Sequence, residues 1–263
     1  MQPTSWRTAL VTGASSGTGQ AFALALARRG IDVVAVARRR DRLDALAEEV
    51  RSSHGRQVEV LTADLADPAQ LAAVEARLAD GARPVDVLVN AAGFGSQGRF
   101  ATLAADDEER QVRVNVVAVV RLTRAALDGM MARGTGAVVN VSSLAGQQAI
   151  PLWATYSATK AFVTTMTRAL TEELRGTGVR SLLVVSGFVD TEFYDHTGFD
   201  RSLIPKPVWM RPQQVADLAL RDLERGRTES VPGLRFRALG AASWVSPWPL
   251  TRRVLRVATR RMW

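Results

Sequence analysis

Tyr156 and Lys160 stand four residues apart in the segment YSATK, a spacing that makes them neighbours on one face of a helix. A phenol with a pKa of about 10 exchanges protons poorly at neutral pH unless its surroundings tune it. A nearby ammonium favours the phenolate and lowers that pKa, which suits proton transfer to or from a carbonyl or alcohol oxygen. Of the 34 basic residues, only Lys160 and Lys206 are lysine. The compact ammonium carries three rotatable donors, so it can act on the tyrosine and hold sugar hydroxyls together. A planar guanidinium does not match that geometry.

A second chemical signal lies near the N-terminus. TGASSGTG places Gly13, Gly17 and Gly19 between a strand-like run and a helix-like run. Glycines at such a turn let the backbone approach a pyrophosphate, which then sits on free amides at the positive end of the helix. Enzymes that use NAD place a carboxylate at the end of the second strand to take the adenosine ribose. In DVVAVARRRDRL that position is Ala37, followed by Arg38, Arg39 and Arg40. A carboxylate would repel a 2′-phosphate and a guanidinium would bind it, so the expected cofactor is NADP(H).

The elements that must hold these groups read as alternating strands and helices. TALVT, DVVAVA, VEVLTA, VDVLVN, AVVNVS and SLLVVS are nearly continuous apolar runs, as in parallel strands buried on both faces. Between them lie five helix-like stretches, most ending at glycine; the fourth runs unbroken over 106–134 and the fifth carries Tyr156 and Lys160. The pattern predicts an α/β doubly wound parallel sheet, a Rossmann fold. One domain is expected over 1–233, with a substrate loop at 188–211, and a basic extension over 234–263.

With this pattern in view, the sequence resembles the short-chain dehydrogenase/reductase family over roughly residues 7–231. TGASSGTG is similar to the family's glycine-rich motif, NAAG at 90–93 to its segment after the fourth strand, and Asp64 with Leu65 to the pair bordering the adenine. Asn115, Ser143, Tyr156 and Lys160 match the catalytic tetrad. The resemblance implies that Tyr156 is the acid or base, that Ser143 orients the substrate oxygen, and that Lys160 tunes Tyr156 and holds the nicotinamide ribose. It further implies that Asn115 supports a water linking Lys160 to solvent. The implied cofactor contacts are Gly13, Ser15, Ser16, Gly17, Thr18, Gly19, Arg38, Arg39, Asp64, Leu65, Asn90, Ala91, Gly93, Tyr156, Lys160, Val189 and Thr191. Two residues depart from the family pattern: Thr18 replaces a branched apolar residue, and Ser186 replaces the proline before Gly187. A looser backbone beside the nicotinamide is expected from them. The competing function is an NADP-binding sensor or scaffold without turnover, against which the intact tetrad argues.

The substrate should be a hydrophobic ketone or secondary alcohol, such as a lipid, acyl thioester, steroid or polyketide-like compound. Phe94, Trp153, Phe193, Tyr194, Phe199 and Trp209 are the candidate pocket. The chain has no cysteine, and His54 and His196 show no ligand spacing, so no metal site is expected and a reducing cytoplasm is the simplest location. The net charge of +8 is concentrated in the tail: after Glu229 there are seven arginines and no acid, and without those seven about +1 is left. Nucleic acid is therefore not an expected partner; a homodimer or homotetramer is. The tail segment LTRRVLRVATRRMW reads as a basic amphipathic helix, preceded by Trp244 and Trp248. It would pack on its own or a partner subunit, or dock peripherally on an anionic membrane.

Overall fold

The structure is a computed structural model that describes residues 6–233 and Phe236. The tail helix expected over 250–263 and Trp244 and Trp248 lie outside the described residues. Seven parallel strands form one sheet: β1 (Thr8–Thr12), β2 (Asp32–Ala37), β3 (Val58–Thr62), β4 (Val87–Asn90), β5 (Gly136–Ser143), β6 (Val179–Ser186) and β7 (Glu229–Ser230). Their order is β3-β2-β1-β4-β5-β6-β7, so the predicted doubly wound sheet is what forms. The chain reverses direction across the sheet between β1 and β4, and a crevice opens beyond their carboxyl ends.

Helices α1 (Gly17–Ala27), α2 (Arg40–His54) and α7 (Pro212–Glu224) cover one face. There Phe22, Leu26, Leu43, Leu46, Leu220 and Leu223 meet the strand valines and alanines. Helices α3 (Pro68–Ala79), α5 (Ala118–Arg133) and α6 (Ala154–Glu173) cover the other, through Leu71, Val74, Leu122 and Met130. Both faces of the strands are thus buried, which accounts for their unbroken apolar sequence.

Two elements differ from the sequence reading. The helix expected to run unbroken over 106–134 consists of α4 (Ala105–Val112), a wide π turn at Arg113–Val117, and α5. The π turn holds Asn115, and such turns carry no compositional signature. Helix α7 was not anticipated. It begins with Pro212 at its first turn and buries Val215, Ala216, Ala219, Leu220 and Leu223 at helical spacing.

Candidate active site

Strand β5 ends at Ser143, and a 3-10 turn over Leu144–Gln147 follows it directly against α6. A Cβ at Gly146 would lie 2.6 Å from the Lys160 carbonyl oxygen, so only glycine lets the turn approach the helix this closely. The buried Ser142 hydroxyl donates to the Lys160 carbonyl at 2.9 Å and shares a 2.7 Å bond with Thr164. These contacts set α6 in register with β5 and bring Tyr156 beside Ser143. The Ser143 hydroxyl accepts from the Ala145 amide at 3.1 Å. Ser143 stands beside the Tyr156 hydroxyl and favours its ionised form.

Lys160 is 7% exposed and donates to the Val141 carbonyl at 3.0 Å; its Nζ lies 5.8 Å from the centre of the Tyr156 ring. Burial pushes Tyr156 up to about 12, with the Ser143 bond pulling the other way, and pushes Lys160 down to about 8. The lowering of Tyr156 by Lys160 expected from their spacing is therefore not the dominant effect in this arrangement. The two groups share one low-dielectric environment, and it disfavours phenolate and ammonium alike. Asn115 is fully buried: its amide donates to the Phe94 carbonyl at 2.9 Å and to the Thr159 hydroxyl at 3.1 Å, and its oxygen accepts from the Phe94 amide. It clamps the loop after β4 to α6. Gly93 leaves the opening between them, since a Cβ there would be 3.1 Å from Asn115 Oδ1 and 3.3 Å from Lys160 Nζ.

The glycine loop forms a cradle of backbone. Gly13 and Gly17 have φ of 69° and 55°, which side chains adopt only under strain. A Cβ on Gly13 would lie 2.9 Å from Ala92, and one on Gly19 only 2.3 Å from the Gly13 oxygen. Ser16 precedes α1 without capping it, and the first turn holds no acid. Open amides beside close-approach glycines fit the pyrophosphate of a dinucleotide. Ser15 is buried and accepts from Arg39 at 3.3 Å. Arg38 is exposed and acts on Asp64. Burial would raise the Asp64 carboxyl, but the Ala66 amide and the Arg110 guanidinium hold it below the usual range. Leu65 is buried beside it, while Thr18 and Ala91 are partly buried at the cradle. The Asn90 side-chain amide donates to Thr123 at 3.1 Å and Asn140 at 2.9 Å, tying the end of β4 to α5 and β5. Thr12, which the sequence reading did not single out, accepts from the amides of Ala91 and Ala92, both at 3.1 Å, and so joins β1 to the loop after β4. Among the described residues no group of three or more His, Asp or Glu could hold a metal.

Segment 188–210 folds over Tyr156 as a lid of short 3-10 turns. Val189 pairs with Met210 at its base, and Thr191 packs on Gly17, 3.0 Å from where a Cβ would be. Trp153, Phe193, Tyr194, Phe199 and Trp209 gather with Phe188 and Tyr156 in one cluster. Ring centres are 5.6 Å apart for Trp153 and Tyr156, and 5.3 Å for Tyr156 and Phe193. Phe94 contributes its backbone to Asn115 instead. Ser186, the departure from the family's proline, donates to the Ser142 carbonyl at 3.0 Å. The looseness expected from losing the ring is offset by a bond that proline could not make. Phe236, at the start of the extension, is buried with its ring over Gly187, 2.5 Å from where a Cβ would stand.

Fold and site together define a nicotinamide-dependent oxidoreductase of the doubly wound class. The chain belongs to the short-chain dehydrogenase family, whose profile, "short chain dehydrogenase", matches residues 7–200. It is 34% identical over 229 residues to the ketoacyl reductase HetN of Nostoc sp., covering 86% of this chain and 78% of that one. A short-chain dehydrogenase from Sphingobium yanoikuyae, solved in complex with NADPH, superposes with a TM-score of 0.83 at 39% identity, over 90% of this chain and 94% of that one. The bulky-bulky ketone specific alcohol dehydrogenase of Comamonas testosteroni gives 0.79 at 33% identity, over 92% and 93%. No helix among the described residues is long and apolar enough to cross a membrane.

Proposed function

We propose that this protein interconverts a hydrophobic ketone and its secondary alcohol with NADP(H), using Tyr156 as the acid or base. The observation that carries the reading is the placing of Ser143 at the end of β5 beside Tyr156, with buried Lys160 one turn along α6, at the floor of an aromatic enclosure. Ser143 donates to the substrate oxygen and Tyr156 delivers or removes its proton. Lys160 holds the ribose hydroxyls and supplies positive charge behind the phenol, and Asn115 fixes the loop against which the substrate rests. When bound, the nicotinamide supplies or accepts the hydride. Because burial holds Tyr156 up at about 12, it stays a proton donor throughout the neutral range, which suits reduction; oxidation, which needs the phenolate, should accelerate as pH rises.

NADP over NAD is supported by Ala37 at the end of β2 and by Arg38 and Arg39 next to the phosphate loop. The NADPH bound to the Sphingobium relative and the bulky ketones named for the Comamonas enzyme agree with this cofactor and with an apolar substrate. The chemistry of the Nostoc relative makes an acyl thioester the substrate class to try first. Exposed Val112, Val117, Val120 and Met131, with Phe162 on α6, support self-association as a homodimer or homotetramer.

The test is consumption of NADPH, followed by its absorbance, against a panel of bulky ketones and β-ketoacyl thioesters. Tyr156→Phe should lower kcat about 10²-fold or more while leaving NADPH affinity nearly intact. A panel without turnover, or a phenylalanine variant as fast as the parent, would overturn the reading.

A further inference from the structure

The lid has its own internal clamp. Arg201 pairs with Asp190 and Asp195 and lies 4.9 Å over the Trp209 ring, and the base is closed by 2.9 Å bonds from the Asp190 amide to Met210 and from the Met210 amide to Phe188. Glu192 reaches from the lid to the arginines that follow β2. One carboxylate oxygen accepts from Arg39 Nη1 at 2.9 Å, and the other lies 3.6 Å from Arg42. Arg39 is held at the phosphate loop by the Ser15 hydroxyl at 3.3 Å and the Ser15 carbonyl at 3.5 Å. One of the two arginines suited to an adenosine 2′-phosphate is thus bonded to a lid residue 153 positions away.

We infer that Glu192 competes with the 2′-phosphate of NADP for Arg39, so that the group distinguishing NADP from NAD also unties the lid from the phosphate loop. This rests on the NADP reading above and adds a specificity-determining residue to it. The Arg39 and Glu192 side chains are 40% and 38% exposed, so their pair is a weak one. A phosphate brings up to about two negative charges and three acceptor oxygens, against one charge and two oxygens on the carboxylate. Once it is seated on Arg39, like-charge repulsion drives Glu192 off. NAD lacks the phosphate and leaves the tie in place.

Adenosine 2′,5′-bisphosphate carries the phosphate without the nicotinamide, and adenosine 5′-monophosphate serves as its control. Glu192→Gln should tighten the bisphosphate about three- to fivefold, as expected for removing a competing surface pair, and change the monophosphate less than about twofold. Amide hydrogen exchange across 192–203 should quicken in the parent protein with bisphosphate but not with monophosphate. It should already be fast in Glu192→Gln without ligand. Arg39→Gln should also free the lid, yet weaken the bisphosphate, an opposite sign that separates loss of the tie from general damage. Equal tightening of both nucleotides by Glu192→Gln, or lid exchange indifferent to the bisphosphate, overturns the inference while NADP preference stands. Bisphosphate binding no better than monophosphate in the parent protein overturns the NADP reading, and this inference with it.

Discussion

The two walls of the cofactor groove are built differently. On the phosphate side the binding surface is backbone: Gly13, Gly17 and Gly19 bring main chain against main chain, and Thr12 fixes them to the loop after β4. On the substrate side it is side chain, with rings from α6, the loop before it and the lid meeting in one cluster around Tyr156. A backbone surface tolerates almost no added atom, whereas packed rings can shift by rotating. The first wall should therefore respond to substitution abruptly and in cofactor affinity, the second gradually and in substrate affinity.

Lys160 sits where the walls meet and should give the largest effect. Its folded pKa of about 8 lies below the ordinary 10.5, so the unfolded chain binds a proton that the folded one resists. The cost is fully present below pH 8 and fades as pH rises toward 10.5, amounting to about 3 kcal/mol at neutral pH. Lys160→Met should lose turnover and yet unfold at higher temperature than the parent at pH 7, with the advantage vanishing near pH 10.5. A stability difference independent of pH would show that the ammonium is well solvated in the folded protein.

How much of this could be read from the chain follows the same division. Glycine spacing after a strand announces the cradle, and the i, i+4 pair announces the face that Tyr156 and Lys160 share, because local backbone geometry dictates both. The seven arginines after Glu229 and the apolar strands were equally legible. Contacts between residues distant in sequence were not: the tie from Ser142 to Lys160, the ring of Phe236 over Gly187, and Arg39 with Glu192 obey no periodicity. The bonds of Asn90 to Thr123 and Asn140 were equally hidden, since a motif names a residue and says nothing of where its amide turns. Helix α7 could have been found from Pro212 and the apolar spacing that follows it.

The next effect tests the backbone wall. Gly19→Ala would place a Cβ 2.3 Å from the Gly13 oxygen, and relieving the clash costs about 1–3 kcal/mol. Where that cost falls on the bound form, it corresponds to a roughly 5- to 150-fold loss of cofactor affinity in a fluorescence titration; where it falls on the fold, to a drop in thermal stability. Gly95→Ala is its counterpart in the ring wall. Its Cβ would stand 3.0 Å from the Tyr156 ring and 3.1 Å from Phe193 and Trp153. The rings can yield by a few tenths of an ångström, so KM for a bulky ketone should rise by about tenfold at most, with cofactor affinity unchanged. A Gly95→Ala protein that binds NADPH poorly would show the two walls to be one unit.

The smallest effect belongs to Ser186, which lies on the seam between them. Its hydroxyl bonds the Ser142 carbonyl one residue before Ser143, at the paired ends of β5 and β6. Ser186→Ala removes one partly buried hydrogen bond, worth about 1 kcal/mol. If the bond only stabilises the sheet, the loss appears in thermal unfolding and kcat is unaffected. If it also holds Ser143 at the distance Tyr156 requires, kcat should fall several-fold while KM and cofactor affinity stay put, because the substrate oxygen is misaligned after it has bound. Ser186→Thr keeps the hydroxyl and should restore kcat. A lowered kcat that threonine fails to restore would place the defect in strand packing rather than in the hydroxyl tie, and the departure from the family's proline would then have no bearing on the catalytic serine.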